Sequence, residues 1–219
     1  MFAAASLTEA FGAAGTALHA AQPRVEVTFD FAASGTLVAQ IEQGAPADVV
    51  ATADMTTMQK LVDAGLVDGP RVFARNRLEI IVAPGNPKGV RGLADLARED
   101  ITVVLADASV PAGAYAAQAL SRADITVTPK SLEADVKAAV ARVTGGDADA
   151  AIVYATDVHA AGGRATGVEI PDGQNVVAEY PIAIVKATTH RAAAQSFIDS
   201  VVSGSGRNAL EQYGFLGAS

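Results

Sequence analysis

The sequence predicts an α/β fold built on mainly parallel sheets, and two observations carry that expectation. Short apolar strands alternate with segments of helical periodicity along the 219 residues, an order that produces parallel strands linked by helices. Polar or glycine-bearing turns sit where strands hand over to helices, which is where such sheets place ligands. The length fits one large domain or two small lobes. The chain shows no internal repeat and no low-complexity linker.

Taken in order, residues 2–5 are a strand end, followed by a helix over about 7–21. Leu7, Ala10, Phe11, Ala14 and Leu18 recur there at helical spacing. Residues 25–31 alternate as a strand, and Ser34 opens a helix that Gly44 and Pro46 stop. A short buried strand at 49–53 precedes a helix at 56–64 ended by Gly65. Residues 78–83 read as the strongest strand, closed by Pro84-Gly85-Asn86-Pro87. A short helix at 93–97, a strand at 102–106 and a helix from Pro111, a residue suited to the first helical position, come next. Then follow a helix at 133–144, strands at 151–154, 168–170 and 180–185, and closing helices at 191–202 and 206–213.

Composition excludes several functions. Half the residues are apolar and 18% are charged, so the chain has ample material for a core. No apolar run approaches the roughly 20 residues needed to cross a bilayer as a helix. Net charge is −8 and the 16 basic residues are scattered, which argues against nucleic acid. A small dianion is still acceptable, because hydroxyl and amide dipoles can hold it while distant carboxylates are screened within about 10 Å. Without cysteine there are no disulfides or thiolate metal sites. His19, His159 and His190 lack ligand spacing, so a metal-cation site is not expected. The opening Met1-Phe-Ala-Ala-Ala-Ser reads as cut inside a first strand, so a leader is expected to have been removed or replaced.

Four helix mouths are candidate anion sites, since first-turn N–H groups lack intrahelical partners. Ser6-Leu-Thr-Glu9 fits a capping box worth about 1 kcal/mol, and the capping hydroxyl still has a proton to donate outward. Ser34 follows Ala32-Ala33 and precedes Gly35, which permits close backbone approach. Val110-Pro111-Ala112-Gly113 offers only backbone N–H groups, as does Val136, whose side chain reads as core. Ser131, Glu133 and Asp135 read as markers of the helix start before Val136, and the two carboxylates should point away from an anion. Tyr154 ends a buried strand, and its phenol needs a partner, either structural or a ligand. Arg75 and Arg77 read as solvated; Asp48, Asp54 and Asp157 read as caps or turn residues.

At these residues the chain resembles the periplasmic molybdate-binding proteins, the capturing component of molybdate ABC importers. The matching segments are Phe2-Ala-Ala-Ala-Ser-Leu7, Phe31-Ala-Ala-Ser-Gly-Thr-Leu37, Gln40-Ile-Glu-Gln-Gly-Ala-Pro-Ala-Asp48 and Val110-Pro-Ala-Gly-Ala-Tyr-Ala116. Asp135-Val136, Ile152-Val-Tyr154 with Asp157, Tyr180-Pro181 and Tyr213-Gly-Phe215 complete the set in family order. Ala151 stands where the family often has glycine, and the first strand is clipped by Met1.

The resemblance implies a two-lobed periplasmic-binding-protein fold, type II-like, with the ligand cleft between lobes. Lobe 1 would hold residues 1–79 plus 184–219 and lobe 2 residues 80–183, with the strands at Leu78 and Tyr180 as the crossings. Carried over, the ligand groups are the hydroxyls of Ser6 and Ser34, the amides of Ala112 and Val136, and the hydroxyl of Tyr154. They would contact the metal oxyanion and no metal cation. Molybdate, with tungstate nearly indistinguishable, is the implied ligand, and no cofactor is expected. The implied partner is the membrane permease of an ABC importer, served by a monomer located in the periplasm or at the cell surface, where a lipid anchor is one option. A binding protein or sensor for sulfate or phosphate is the alternative. A serine hydrolase fits less well, because no G-x-S-x-G elbow is present and no nucleotide loop accompanies it.

Overall fold

A computed structural model describes residues 1–218 and divides the chain into two compact units. Unit 1 is Met1–Arg75 with Glu179–Ser219, and unit 2 is Asn76–Ala178.

Unit 1 is built on strands β1 (Phe2–Ala4), β2 (Asp30–Ala32) and β3 (Val49–Ala51), with the first part of β4 (Val67–Val82) and most of β9 (Val177–Val185). Strands β2, β1 and β3 are adjacent and parallel, and β9 pairs antiparallel with β3. Every residue of β1 and β3 is buried, which is the signature of a sheet covered on both faces. Helices α2 (Ser34–Glu42) and α3 (Met55–Asp63) pack with each other, and their Leu37, Val38, Ile41, Met58 and Leu61 join Phe2 and Val50 in one core. Helices α1 (Thr8–Ala21), α7 (Arg191–Ser203) and α8 (Ser205–Gln212) form another group. There Phe11 meets Phe29, Phe73 and Phe197 at ring separations of 6.1, 5.5 and 5.2 Å.

Unit 2 contains β5 (Val103–Ala106), β6 (Ser131–Glu133), β7 (Ala150–Tyr154) and β8 (Thr166–Glu169), with the later part of β4. Strands β7, β5 and β6 are parallel, and β4 runs antiparallel to both β7 and β8. Helices α4 (Pro111–Arg122) and α5 (Val136–Thr144) connect the parallel strands, and α6 (Ala155–Ala161) follows β7 directly. The buried Asn175 amide stands in for a strand residue beside β4: it accepts from Leu78 N–H at 3.0 Å and donates to the Leu78 carbonyl at 2.9 Å.

Several elements differ from the sequence reading. The alternating run at 25–31 is a ladder only over Asp30–Ala32, because its partner β1 puts Phe2 opposite Asp30. The strand expected at 78–83 begins at Val67, since pairing carries the chain through Asp68-Gly69-Pro70, whose composition suggests a turn. Strand β6 and helix α6 are additional to the elements that the local pattern predicts. Ser131 and Glu133 belong to β6 rather than to a helix start, because residues 131–133 pair in parallel with β5.

Candidate functional site

In unit 1, register places the two serines. Ala4 of β1 lies opposite Ala32 of β2 in a parallel pair, and Ser6 and Ser34 each follow two residues later. Both hydroxyls therefore stand at the carboxyl ends of neighbouring strands. Ser34 is the first residue of α2 and only 1% exposed. Its Oγ makes no cap; it accepts instead from the N–H of Ala53, just beyond β3, at 3.1 Å.

The capping box expected at Ser6 does not form. Residues Ala5–Leu7 close a 3-10 turn first, so α1 begins at Thr8 and Ser6 is not its flanking residue. Thr8 Oγ1 donates to the Ala5 carbonyl at 2.7 Å, and Ser6 Oγ lies 3.0 Å from the phenol oxygen of Tyr180 on β9. That contact links residues 174 positions apart, so no local pattern announces it.

In unit 2, the three remaining candidates lie at the carboxyl ends of three parallel strands. Tyr154 is the last residue of β7, Ala112 is the second residue of α4 after β5, and Val136 is the first residue of α5 after β6. Pro111 has no N–H, so Ala112 and Gly113 supply the first donors of α4. This helix start is pressed onto the end of β5: a Cβ on Gly113 would come within 2.0 Å of the Asp107 carbonyl oxygen and 2.4 Å of that of Ala106. Close approach, not turn conformation, is why glycine is needed there.

Asp135 caps α5 by accepting from Ala138 N–H at 2.8 Å, which leaves the amides of Val136 and Lys137 as the earliest donors. Glu133 is turned to its own neighbours, accepting from Ser131 Oγ at 2.6 Å and from Arg142 Nε at 3.2 Å. The Ser131 hydroxyl, helped by Arg142, holds the Glu133 carboxyl below its ordinary value. A depressed folded-state value means that the ionised form adds stability above the ordinary carboxylate range and that this is lost as pH falls through the depressed value. Glu133→Gln should therefore melt below the parent protein at neutral pH, the gap closing in acid. A gap that stays constant in melting curves from pH 7 to 3 would contradict this.

Tyr154 is 1% exposed, and its N–H donates to Asp157 Oδ2 at 3.2 Å. The other oxygen, Asp157 Oδ1, lies 3.0 Å from Lys137 Nζ. This ion pair ties the second residue of α5 to the first turn of α6, holding the Val136 amide and Tyr154 in one framework. The sequence marked Asp157 as a cap or turn residue but gave no sign of its lysine partner. Among the described residues, no group of three or more His, Cys, Asp or Glu side chains is placed to hold a metal ion.

The family model for bacterial extracellular solute-binding proteins matches residues 1–216. The chain belongs to that family. The molybdate-binding protein ModA of Mycobacterium tuberculosis is 40% identical to it over 216 residues, 98% of this chain and 83% of that protein. Among solved structures of the family fold, the substrate-binding domain of a putative molybdenum ABC transporter from Clostridium difficile is 30% identical, with a TM-score of 0.75, covering 99% of this chain and 96% of that one. The sulfate-binding protein SubI of Mycobacterium tuberculosis is 23% identical and superposes with a TM-score of 0.88 over 98% of this chain and 84% of its own. That likeness establishes the two-lobed periplasmic-binding-protein fold and leaves the choice of solute to the groups at the strand ends. In such a solute-binding protein, α/β units with helix starts at the carboxyl ends of parallel strands are suited to binding small anions.

Proposed function

We propose that the protein captures molybdate outside the cytoplasm, in the periplasm or at the cell surface, and delivers it to the membrane permease of an ABC importer. The observation that carries this reading is the polarity of the candidate groups. Ser34 Oγ already accepts from Ala53 N–H, so its single proton is left to donate. The Ala112 and Val136 amides can only donate. The bound oxyanion accepts from these groups, from Ser6 and from Tyr154. Asp135 and Glu133 are engaged by Ala138, Ser131 and Arg142, and Asp157 by Lys137 and Tyr154. A set made of donors suits a fully deprotonated dianion, whereas monohydrogen phosphate also requires an acceptor.

Hydrogen bonds to a charged acceptor contribute about 1.5–3 kcal/mol each. Five or six of them support micromolar or tighter affinity, about −8 kcal/mol, after desolvation and ordering costs. The 40% identity to a protein named for molybdate binding supports the same solute. Tungstate shares the shape and charge of molybdate and binds alike. The protein acts by binding, with no cofactor and no catalytic residue. The contacts of Ser6 with Tyr180 and of Ser34 with the Ala53 amide support the binding reading over a serine hydrolase. A single chain carries all the groups, so the working unit is a monomer, and its net charge of −8 gives nucleic acid no footing.

Titration calorimetry with molybdate, tungstate, sulfate and phosphate is the test. Molybdate and tungstate should bind at micromolar or lower concentration and phosphate not at all. Tight sulfate or phosphate binding with none for molybdate would overturn the reading.

A further inference from the structure

We propose that Tyr180 is a positioning residue that acts through Ser6, its phenol donating to Ser6 Oγ and so directing the serine's own proton toward the bound oxyanion. The inference rests on reading Ser6 as an anion ligand and adds a residue that this reading does not contain. The two hydroxyl oxygens lie 3.0 Å apart, Ser6 being 5% and Tyr180 0% exposed. Packing fixes the ring: Phe73 and Phe215 meet it edge-on, with ring planes at 90° and 84° and centroids 6.5 and 5.3 Å away. Each hydroxyl carries one proton, so the pair has two polarities. In one, Ser6 donates to Tyr180 and presents only lone pairs outward, which repel an anion. In the other, Tyr180 donates to Ser6 and the serine proton is free for the ligand.

Ser34 shows what the second polarity achieves. Its oxygen accepts from the Ala53 amide, a group that cannot act as an acceptor, and its proton is thereby committed outward. Ser6 lies at the matching position just beyond the neighbouring strand, and there Tyr180 takes the role that the Ala53 amide has at Ser34. A dianion selects this polarity, and the chain from phenol to serine to anion is strengthened because each bond polarises the next. Tyr180 therefore makes Ser6 a donor of the same kind as Ser34, without touching the ligand.

The test is a double-mutant cycle on molybdate affinity using Tyr180→Phe, Ser6→Ala and the pair, with melting temperatures for all four proteins. Tyr180→Phe keeps the ring contacts and should raise Kd about five- to tenfold, the worth of one hydrogen bond. In the Ser6→Ala background the same substitution should change Kd by less than about twofold, because its route is gone. An equal loss in both backgrounds would mean that Tyr180 contacts the ligand or acts through the fold, and would overturn the proposal. So would an unchanged Kd for Tyr180→Phe, or for Ser6→Ala, in a parent protein that binds molybdate. A parent protein that binds no molybdate overturns the assigned solute as well, so the two failures are told apart by the unmutated chain.

Discussion

Gly113→Ala should unseat the start of α4 and destabilise the protein by about 3 kcal/mol, toward the upper end for overpacked sites. The added methyl would lie 2.0 Å from one backbone carbonyl oxygen and 2.4 Å from another, at Asp107 and Ala106. Backbone at a strand end cannot swing aside as a flexible side chain can, so the helix must move. For a chain of this length the loss corresponds to a melting point lower by about 6–12 °C. Affinity for molybdate should fall with it, because the neighbouring Ala112 amide, proposed above as a ligand donor, moves too. Gly35→Ala is the control: a methyl there meets nothing within 4 Å. It should leave stability unchanged or slightly raised, as alanine favours helix over glycine by about 1 kcal/mol. Equal losses at both glycines in thermal melts would defeat the close-approach explanation.

Asp157→Ala should be nearly as damaging. The carboxylate side chain is fully buried and that of Lys137 is 26% exposed, so the substitution removes one close anionic partner of a partly buried ammonium. Breaking one side of such a pair costs about 3 kcal/mol, at the low end here because the lysine retains some solvent. The Tyr154 N–H loses its acceptor as well. Asp157→Asn should fall between, since its amide oxygen can still accept from Tyr154. Removing both charges together, Lys137→Met with Asp157→Leu, should recover part of the loss, because the buried charge goes with its partner. Denaturant titration of the three variants decides it. A loss under about 0.5 kcal/mol for Asp157→Ala would show that the bridge does not hold α5 to α6.

The sequence and the structure agree best where the information is local. Pro111 at the first position of α4, the helical spacing of Leu7 to Leu18, and the buried run ending at Tyr154 each state their element within a dozen residues. They differ where strand pairing overrides local pattern. Residues 67–77 carry turn-forming Gly69 and Pro70 yet belong to β4. Ser131 and Glu133 have the polarity of a helix start yet pair with β5. Ser6-Leu-Thr-Glu9 has the letters of a capping box, and a 3-10 turn pre-empts it.

By itself the sequence determined the alternation of strands and helices, the absence of thiol chemistry, and the hydroxyl, amide and phenol groups offered at strand ends. Those follow from periodicity and side-chain chemistry, which are properties of neighbouring residues. Only the tertiary structure decided which way those groups face. The β1–β2 register sets Ser6 level with Ser34, the Ala53 amide donates to Ser34, Tyr180 reaches Ser6 across 174 positions, and Lys137 meets Asp157. Hydrogen bonds and ion pairs act over about 3–4 Å whatever the distance along the chain. Strand register brings such groups together, and a one-dimensional pattern does not record it.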